Sequence, residues 1–178
     1  IYAAKGRPSD NPLIVHITNM EDLLKITKNV SKEAFKVAEE YWPGPLTMIF
    51  EKNEKVPYGT TGGLNTVAVR MPSHEIARAV IDAGGGYIAA PSANTSGRPS
   101  PTAAEHVKED MDGRIDMIVD GGDVEIGVES TILDMTVTPP MILRPGAVTK
   151  EMLEDLIGEV AEDVALIDPD SKLSLIHI

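Results

Sequence analysis

Apolar positions along the 178-residue chain recur with two different spacings. Short runs of aliphatic and β-branched residues, bounded by glycine, proline and small polar residues, are typical of β-strands. By this criterion the sequence predicts strands at residues 13–17, 46–50, 66–70, 87–90, 116–119, 130–135 and 141–144.

Apolar residues three and four positions apart predict amphipathic helices between these strands. Ser31, Thr102 and Thr149 are predicted to cap helices, and Glu105 would complete a capping box with Thr102. Residues 1–5 read like the last turn of a helix, and residues 53–63 read as a polar loop. Further helices are predicted at residues 21–28, 31–42, 73–83, 102–109 and 149–157.

The alternation of strands and helices predicts an α/β (α+β) domain with a twisted mixed sheet flanked by helices. We assign residues 1–158 to this domain. Residues 159–172 are acidic and weakly patterned, which suggests a linker or a tail. Residues 173–178 match the peptide that a sequencing adapter encodes when it is read through in frame, and a genuine apolar tail is the alternative.

Composition restricts the classes of function. Hydrophobic residues make up 42% of the chain and charged residues 25%, as in ordinary globular proteins. Cysteine is absent, so neither a disulfide framework nor a thiolate metal site is expected. The net charge of −12 argues against a broad nucleic-acid-binding face. No run is apolar enough for a membrane span and no signal segment opens the chain, so we expect a cytoplasmic protein.

Several common signatures fail on inspection. The phosphate-binding Gly-x-x-x-x-Gly-Lys-Ser/Thr loop is absent from the sequence. Residues 84–89 fit a dinucleotide-binding glycine pattern, but they precede a predicted strand instead of following one. His74-Glu75 begins like a zinc-protease helix, but Arg78 stands where the second histidine must be. We therefore expect no metal held by the protein alone.

Three groups of polar residues remain. In the first, Lys5 and Arg7 lie one residue apart where a helix ends, and two such cations can converge on one anion. The alternative is a solvated basic helix end. In the second, Ser92 and Asn94 directly follow the predicted strand 87–90, at the kind of strand end where open α/β sheets bind ligands. The alternative there is an ordinary polar turn.

The third group lies on strands. Thr66 and Arg70 share one face of a predicted strand because they are four residues apart. Ser130 and Arg144 lie on two further strands. A guanidinium buried without an anionic partner is costly, so each arginine needs either a ligand or a structural salt bridge, and the sequence leaves both open.

These groups together resemble one family. The pair Lys5-Gly6-Arg7 and Ser92-Ala93-Asn94 matches the Lys-x-Arg and Ser-x-Asn motifs of the YrdC-type L-threonylcarbamoyladenylate synthases. The resemblance runs from residue 1 to about residue 148, with further matching blocks at 42–47, 69–72, 100–102, 127–131 and 143–146.

The resemblance implies that L-threonine, bicarbonate and ATP with Mg²⁺ are converted into threonylcarbamoyl-AMP and pyrophosphate. The product would supply the machinery that transfers threonylcarbamoyl to tRNA, and a weak contact with tRNA is left open. Lys5 and Arg7 would act in catalysis. The residues implied in ATP binding are Arg7, Asn11, Thr66, Ser92, Asn94, Ser100 and Arg144. Those implied in threonine binding are His16, Arg70, Ala90 through its backbone, and Ser130.

One departure from the family pattern lies at the start of the chain. The family has roughly a further quarter of the domain before its Lys-x-Arg motif, so we expect part of the threonine site and one sheet element to be missing here. Two alternatives stay open. One is the carbamoyl-adenylate-forming domain of a hydrogenase-maturation carbamoyltransferase, and the other is a non-catalytic RNA-binding module.

Overall fold

The computed structural model describes residues 1–163, in which helices and strands alternate around one mixed sheet. The helices are α1 Tyr2–Lys5, α2 Met20–Ile26, α3 Lys32–Tyr41, α4 Tyr58–Thr61, α5 Glu75–Ala83, α6 Ala104–Met111 and α7 Lys150–Ile157. The strands are β1 Ile14–His16, β2 Leu46–Glu51, β3 Thr66–Arg70, β4 Ile88–Ala90, β5 Thr131–Asp134, β6 Met141–Arg144 and β7 Ala161–Glu162. The predicted fold class is confirmed.

The sheet has the strand order β4-β1-β3-β2-β5-β6-β7. Strand β1 runs parallel to β3, β2 parallel to β5, and β6 parallel to β7. The pairs β1–β4, β2–β3 and β5–β6 are antiparallel. Strand β7 continues the sheet beyond residue 158, into the segment predicted as a linker or a tail. The remainder of that segment and residues 173–178 lie outside the described residues.

One face of the sheet carries the main core. Val15, Met48, Val67 and Val69 are buried on this face against apolar side chains of α2, α3 and α7, such as Leu153, which is fully buried. Because successive strand residues point to opposite faces, this packing leaves the other face to the alternate residues. That second face has a small apolar floor, formed by Ile14, Ile49, Ala68 and Ile132.

Helix starts follow the predicted capping chemistry in two of three places. The Ser31 hydroxyl accepts from the Ala34 amide at 3.1 Å, and the Thr149 hydroxyl accepts from the Met152 amide at 3.3 Å. The prediction for Thr102 is wrong, because α6 begins after Ala103 and no side chain caps it. Thr102 lies one residue before the capping position, and its amide lies 3.4 Å from Nδ1 of His106.

The predicted strand at residues 116–119 is wrong. The structure has no strand there, and the side chains of Met117 and Val119 are 77% and 60% exposed. The segment is apolar but pairs with no strand within residues 1–163. The sequence analysis also missed α4 and β7, which are one helical turn and two residues long. No helix within residues 1–163 is long and apolar enough to cross a membrane.

Candidate functional site

A row of polar side chains crosses the second face of the sheet. His16 on β1 is paired with Arg70 on β3, and Arg70 is paired with Thr47 on β2. Directly paired residues on neighbouring strands project to the same face, so these three side chains lie side by side. The row continues toward β6, where Arg144 is paired with Ile132 of β5.

Arg70 is a cation whose hydrogen-bond partner is a backbone carbonyl. Its Nε donates to the Gly44 carbonyl at 3.2 Å. The turn that presents this carbonyl depends on glycine, since a Cβ at Gly44 would lie 2.4 Å from the Tyr41 carbonyl oxygen. Burial, and secondarily the charge of Arg144, lower the pKa of Arg70. Within residues 1–163 Arg70 forms no ion pair with a carboxylate. Arg144 is paired with Ile132, which belongs to the apolar floor of the second face, so both arginines lie on that face.

Ser130 connects Arg144 to the middle of the row. Nε and one terminal nitrogen of Arg144 donate to the Ser130 carbonyl at 3.0 and 2.9 Å. The Ser130 hydroxyl lies 3.0 Å from the same terminal nitrogen and 2.8 Å from the Thr47 hydroxyl. Ser130 and Thr47 are both buried, so these bonds fix the position of the Arg144 guanidinium.

Glu129 adds an ion pair to this group. Its carboxylate lies 2.8 Å from the other terminal nitrogen of Arg144 and accepts from the Ser100 hydroxyl at 2.7 Å. Burial lowers the pKa of Arg144, and the charge of Glu129 acts in the opposite direction. Arg144 therefore has the structural salt bridge that the sequence left open, whereas Arg70 does not.

His16 is held as a neutral ring. Its Nδ1 lies 3.3 Å from the Ile88 carbonyl, and a carbonyl only accepts, so Nδ1 carries the proton. Burial, and secondarily the charge of Arg70, lower the pKa of His16. In this tautomer Nε2 is the acceptor nitrogen of the ring, which lies beside Arg70 in the row.

A second group lies where β4 ends. The Lys5 ammonium donates to the carbonyls of Ser92 and Asn94, and the Ser96 amide donates to the Lys5 carbonyl at 2.9 Å. Lys5 is 5% exposed, and burial, followed by the charge of Arg7, lowers its pKa. The Lys-x-Arg and Ser-x-Asn motifs, which are far apart in the sequence, are thus in direct contact.

Three side-chain atoms of this second group are buried without a hydrogen-bond partner. They are Nε of Arg7, Oδ1 of Asn11 and Oδ1 of Asn94. Arg7 donates from a terminal nitrogen to the Pro12 carbonyl at 2.9 Å, and within residues 1–163 it forms no ion pair. Since most buried polar atoms in proteins are paired, these unpaired atoms point to a ligand or an ordered water.

Asp110 on α6 anchors the loop that follows β4. One oxygen accepts from the Thr95 amide at 2.8 Å, and the other forms an ion pair with Arg98. The Thr95 amide is the main reason why the pKa of Asp110 is lowered. The Asn94 amide group donates to the Thr95 and Arg98 carbonyls at 2.9 and 2.7 Å, so this side chain also shapes the loop.

The two groups lie toward opposite ends of the strands. Ala90, at the end of β4, is paired with Ile14 of β1, whereas the row crosses β1 at His16, which is paired with Arg70. The loop after β4 links the groups, because its Ser92 carbonyl meets Lys5 and Ser100 meets Glu129.

A cavity of about 530 Å³ includes Thr66 in its lining, and a second of about 400 Å³ lies beside Tyr87 and Ala89. The remaining predicted site residues, all within residues 1–163, line neither cavity.

Three residues at this site were missed by the sequence analysis, namely Thr47, Asp110 and Glu129. Thr47 and Glu129 lie inside the matching blocks 42–47 and 127–131. The sequence therefore marked these positions, but it gave no sign of the side chains that they contact. Asp110 sits on the buried side of an amphipathic helix, where an aspartate is unusual. A buried aspartate is a signal that could have identified the anchor of the loop.

The fold and these side chains define a mixed α/β domain with cationic groups toward both ends of one sheet. The family model Sua5/yciO/yrdC, described as telomere recombination, matches residues 1–146, and the chain belongs to this family. The resemblance found in the sequence is confirmed.

The chain is also similar to individual members of the family. Threonylcarbamoyl-AMP synthase of Pyrococcus abyssi is 55% identical over 160 residues, which are 90% of this chain and 47% of that protein. The enzyme of the same name from Bacillus subtilis is 51% identical over 173 residues, which are 97% and 50%. The crystal structure of P. abyssi Sua5 complexed with L-threonine superimposes with a TM-score of 0.92 at 50% identity, covering 98% of this chain and 51% of that one. The chain thus spans about half the length of these relatives.

Proposed function

We propose that this chain forms the catalytic domain of an L-threonylcarbamoyladenylate synthase. The observation that carries the proposal is that Lys5, Arg7 and Arg70 are cations whose partners are backbone carbonyls and not carboxylates, within residues 1–163. Their charge is therefore available to anionic substrates. The names of the P. abyssi and B. subtilis relatives, and the L-threonine bound to P. abyssi Sua5, support the same choice of reaction.

The reaction joins two anions, which explains the need for these cations. The amino group of threonine combines with bicarbonate to give a carbamate and water. A carbamate oxygen then attacks the α-phosphorus of ATP, and the bond from this phosphorus to the bridging oxygen of pyrophosphate breaks. The protein has to hold both anions in line and to neutralise the charge on the departing pyrophosphate. No protein nucleophile is required.

The cluster at the end of β4 is assigned to ATP. Lys5 and Arg7 would face the phosphates, and the free Nε–H of Arg7 is a donor that a phosphate oxygen could use. The unpaired amide oxygens of Asn11 and Asn94 would accept from donor groups of the nucleotide or from water. The other residues assigned to ATP are Thr66, Ser92, Ser100 and Arg144.

The part of the row from His16 to Ser130 is assigned to threonine. Arg70 would pair with the threonine carboxylate, because a guanidinium forms two parallel bonds with a carboxylate. The lone pair on Nε2 of the neutral His16 would accept from a donor group of the substrate. The Ser130 hydroxyl already contacts Thr47 and Arg144, so it would offer threonine only its remaining hydrogen-bonding capacity. Ala90 would contribute its backbone.

Mg²⁺ would enter this site with ATP. The residues present fit a metal held mainly by the phosphates, since within residues 1–163 no three histidine or carboxylate side chains are grouped as metal ligands. The ion would supply further neutralisation of the pyrophosphate. The product would pass to the tRNA threonylcarbamoyl-transferase machinery, and the charge of −12 makes any tRNA contact of this domain weak.

The test is an assay of purified protein that includes the N-terminal part of the family domain, with ATP, Mg²⁺, L-threonine and ¹³C-bicarbonate. We expect pyrophosphate release that requires both threonine and bicarbonate, with one ¹³C atom in the threonylcarbamoyl-AMP that is formed. Adenylate formation from carbamoyl phosphate without threonine would instead support the hydrogenase-maturation alternative. A protein that converts neither set of substrates would overturn the proposal.

A further inference from the structure

The carboxylate of Glu129 bonds to two residues that the proposed function assigns to the nucleotide. One oxygen lies 2.8 Å from a terminal nitrogen of Arg144, and the other accepts from the Ser100 hydroxyl at 2.7 Å. The Ser100 hydroxyl has one proton, so it cannot donate to Glu129 and to a nucleotide oxygen at the same time. Glu129 therefore lies where a ligand anion would compete for the same donors.

The backbone around Glu129 is fixed without its side chain. A Cβ at Gly146 would lie 2.5 Å from the Glu129 carbonyl oxygen and 2.5 Å from the Thr131 amide nitrogen, so the two segments are in close contact. The Thr131 amide donates to the Pro45 carbonyl at 3.1 Å, and the Thr131 hydroxyl donates to the Val148 carbonyl at 2.7 Å. The carboxylate can therefore move while the backbone stays in place.

Arg144 also keeps its position when the carboxylate moves. Three of its contacts go to the carbonyl and the hydroxyl of Ser130, which is buried. The Glu129 side chain, by contrast, is 47% exposed and its carboxylate can be solvated by water when it leaves. The ion pair is therefore exposed on the Glu129 side and shielded on the Arg144 side, and its loss costs less than that of a fully buried pair.

We propose that Glu129 is an internal anion that occupies Arg144 and Ser100 in the nucleotide-free protein and releases both to the nucleotide. This inference rests on the proposed function, because it takes Arg144 and Ser100 as nucleotide contacts. Glu129 is a positioning residue in this scheme, and it lowers the affinity for ATP because each binding event must break its bonds. An ion pair that is exposed on one side, as this one is, is expected to change the equilibrium by about five-fold.

The experiment compares ATP dissociation constants of wild-type protein, Glu129→Gln, Glu129→Asp and Glu125→Gln by calorimetry. Glu129→Gln removes the charge that competes for Arg144, so ATP should bind about two- to five-fold more tightly, with the KM for threonine unchanged. Glu129→Asp keeps the charge and should stay close to wild type. Glu125 lies in the same exposed segment, so Glu125→Gln is a control for the same change in net charge and should leave ATP binding unchanged.

The direction of the change separates this inference from a scaffold role. If Glu129 served only to hold Arg144 and Ser100 in place, Glu129→Gln would weaken ATP binding, and that result overturns the inference. Equal binding by wild type and Glu129→Gln overturns it as well, while leaving the proposed function intact. Absence of ATP binding in the wild-type protein, with thermal melts showing a folded chain, would instead overturn the proposed function, and the inference with it.

Discussion

At the scale of single residues, Lys5 and Arg70 have no carboxylate partner within residues 1–163. Lys5 donates to two backbone carbonyls and Arg70 to one, where many buried cations would have a carboxylate. A carbonyl satisfies a hydrogen-bond donor without cancelling its charge, so part of the desolvation cost remains. A bound anion would offset that remaining cost, which is the physical reason to read these cations as ligand contacts.

His16 provides a prediction on pH at this scale. Because burial and Arg70 lower its pKa in the folded state, the unfolded chain binds a proton more readily, starting near pH 6.5. Stability should therefore fall as the pH is lowered from about 7 to 5, and the loss should be complete below the lowered pKa. His16→Gln should reduce the fall in melting temperature over this interval. Equal pH slopes for the two proteins would contradict the prediction.

The matched control for this experiment is His106→Gln. His106 is exposed on α6, away from Arg70, so its replacement should leave the slope as it is in the wild-type protein. If His106→Gln flattens the slope as much as His16→Gln does, the effect belongs to histidine content in general and not to the buried ring beside Arg70.

Sequence reasoning at the residue scale found the cations and hydroxyls but not the acids that organise them. Lys5, Arg7, Ser92 and Asn94 were marked by their motif, and the structure brings them into contact. Glu129 was passed over because its partners, Ser100 and Arg144, are 29 and 15 residues away. Its exposed position in an acidic chain makes it look like any solvated carboxylate until the distances are known.

At the scale of elements, the loop after β4 is held by the helix that follows it. Asp110 near the end of α6 bonds to the Thr95 amide and pairs with Arg98. Lys5 holds the same loop from the other side, through the carbonyls of Ser92 and Asn94. The shape of the ATP cluster therefore depends on a helix that contributes no predicted ligand contact of its own.

Asp110→Asn tests this dependence. The amide can still accept one bond but loses the ion pair with Arg98, so the free energy of unfolding should fall. The KM for ATP should rise because the loop is held less firmly, while the KM for threonine should change less. Urea denaturation and steady-state kinetics measure the two effects.

Asp112→Asn is the control for that experiment. Asp112 is exposed directly after the end of α6, and its replacement removes the same negative charge. We expect its stability and its KM for ATP to match the wild-type protein. An Asp110→Asn variant with wild-type stability and wild-type KM would show that the loop does not need this anchor.

Elements with strong local signals were predicted, and those that depend on partners were not. The periodicity of α3 and α7 agrees with their caps at Ser31 and Thr149, so two independent signals support each helix. Residues 116–119 have the apolar character of a strand, but periodicity reports hydrophobicity and cannot report pairing. Strand β7 has two residues and exists through its bonds to β6, so it leaves almost no pattern in the sequence.

At the scale of the whole molecule, the two faces of the sheet have different roles. One face buries the main core against α2, α3 and α7, and the other carries His16, Arg70 and Arg144 over a small apolar floor. The chain has a net charge of −12, so its acidic surface repels anions while its few clustered cations attract them locally. Binding of ATP should therefore depend on these particular cations and not on the general charge of the protein.

The most direct measurement is the kcat of Arg7→Ala in a protein that includes the N-terminal part of the family domain. It is set against Lys36→Ala, which removes the same charge from the exposed face of α3. Arg7 would contact the phosphates while pyrophosphate leaves, so its contribution should be largest in the transition state. We expect Arg7→Ala to lower the kcat of threonine-dependent pyrophosphate release on the order of 10²-fold or more, with a nearly unchanged melting temperature. Lys36→Ala should retain wild-type kcat. A folded Arg7→Ala protein whose kcat stays within a few-fold of wild type would contradict the account.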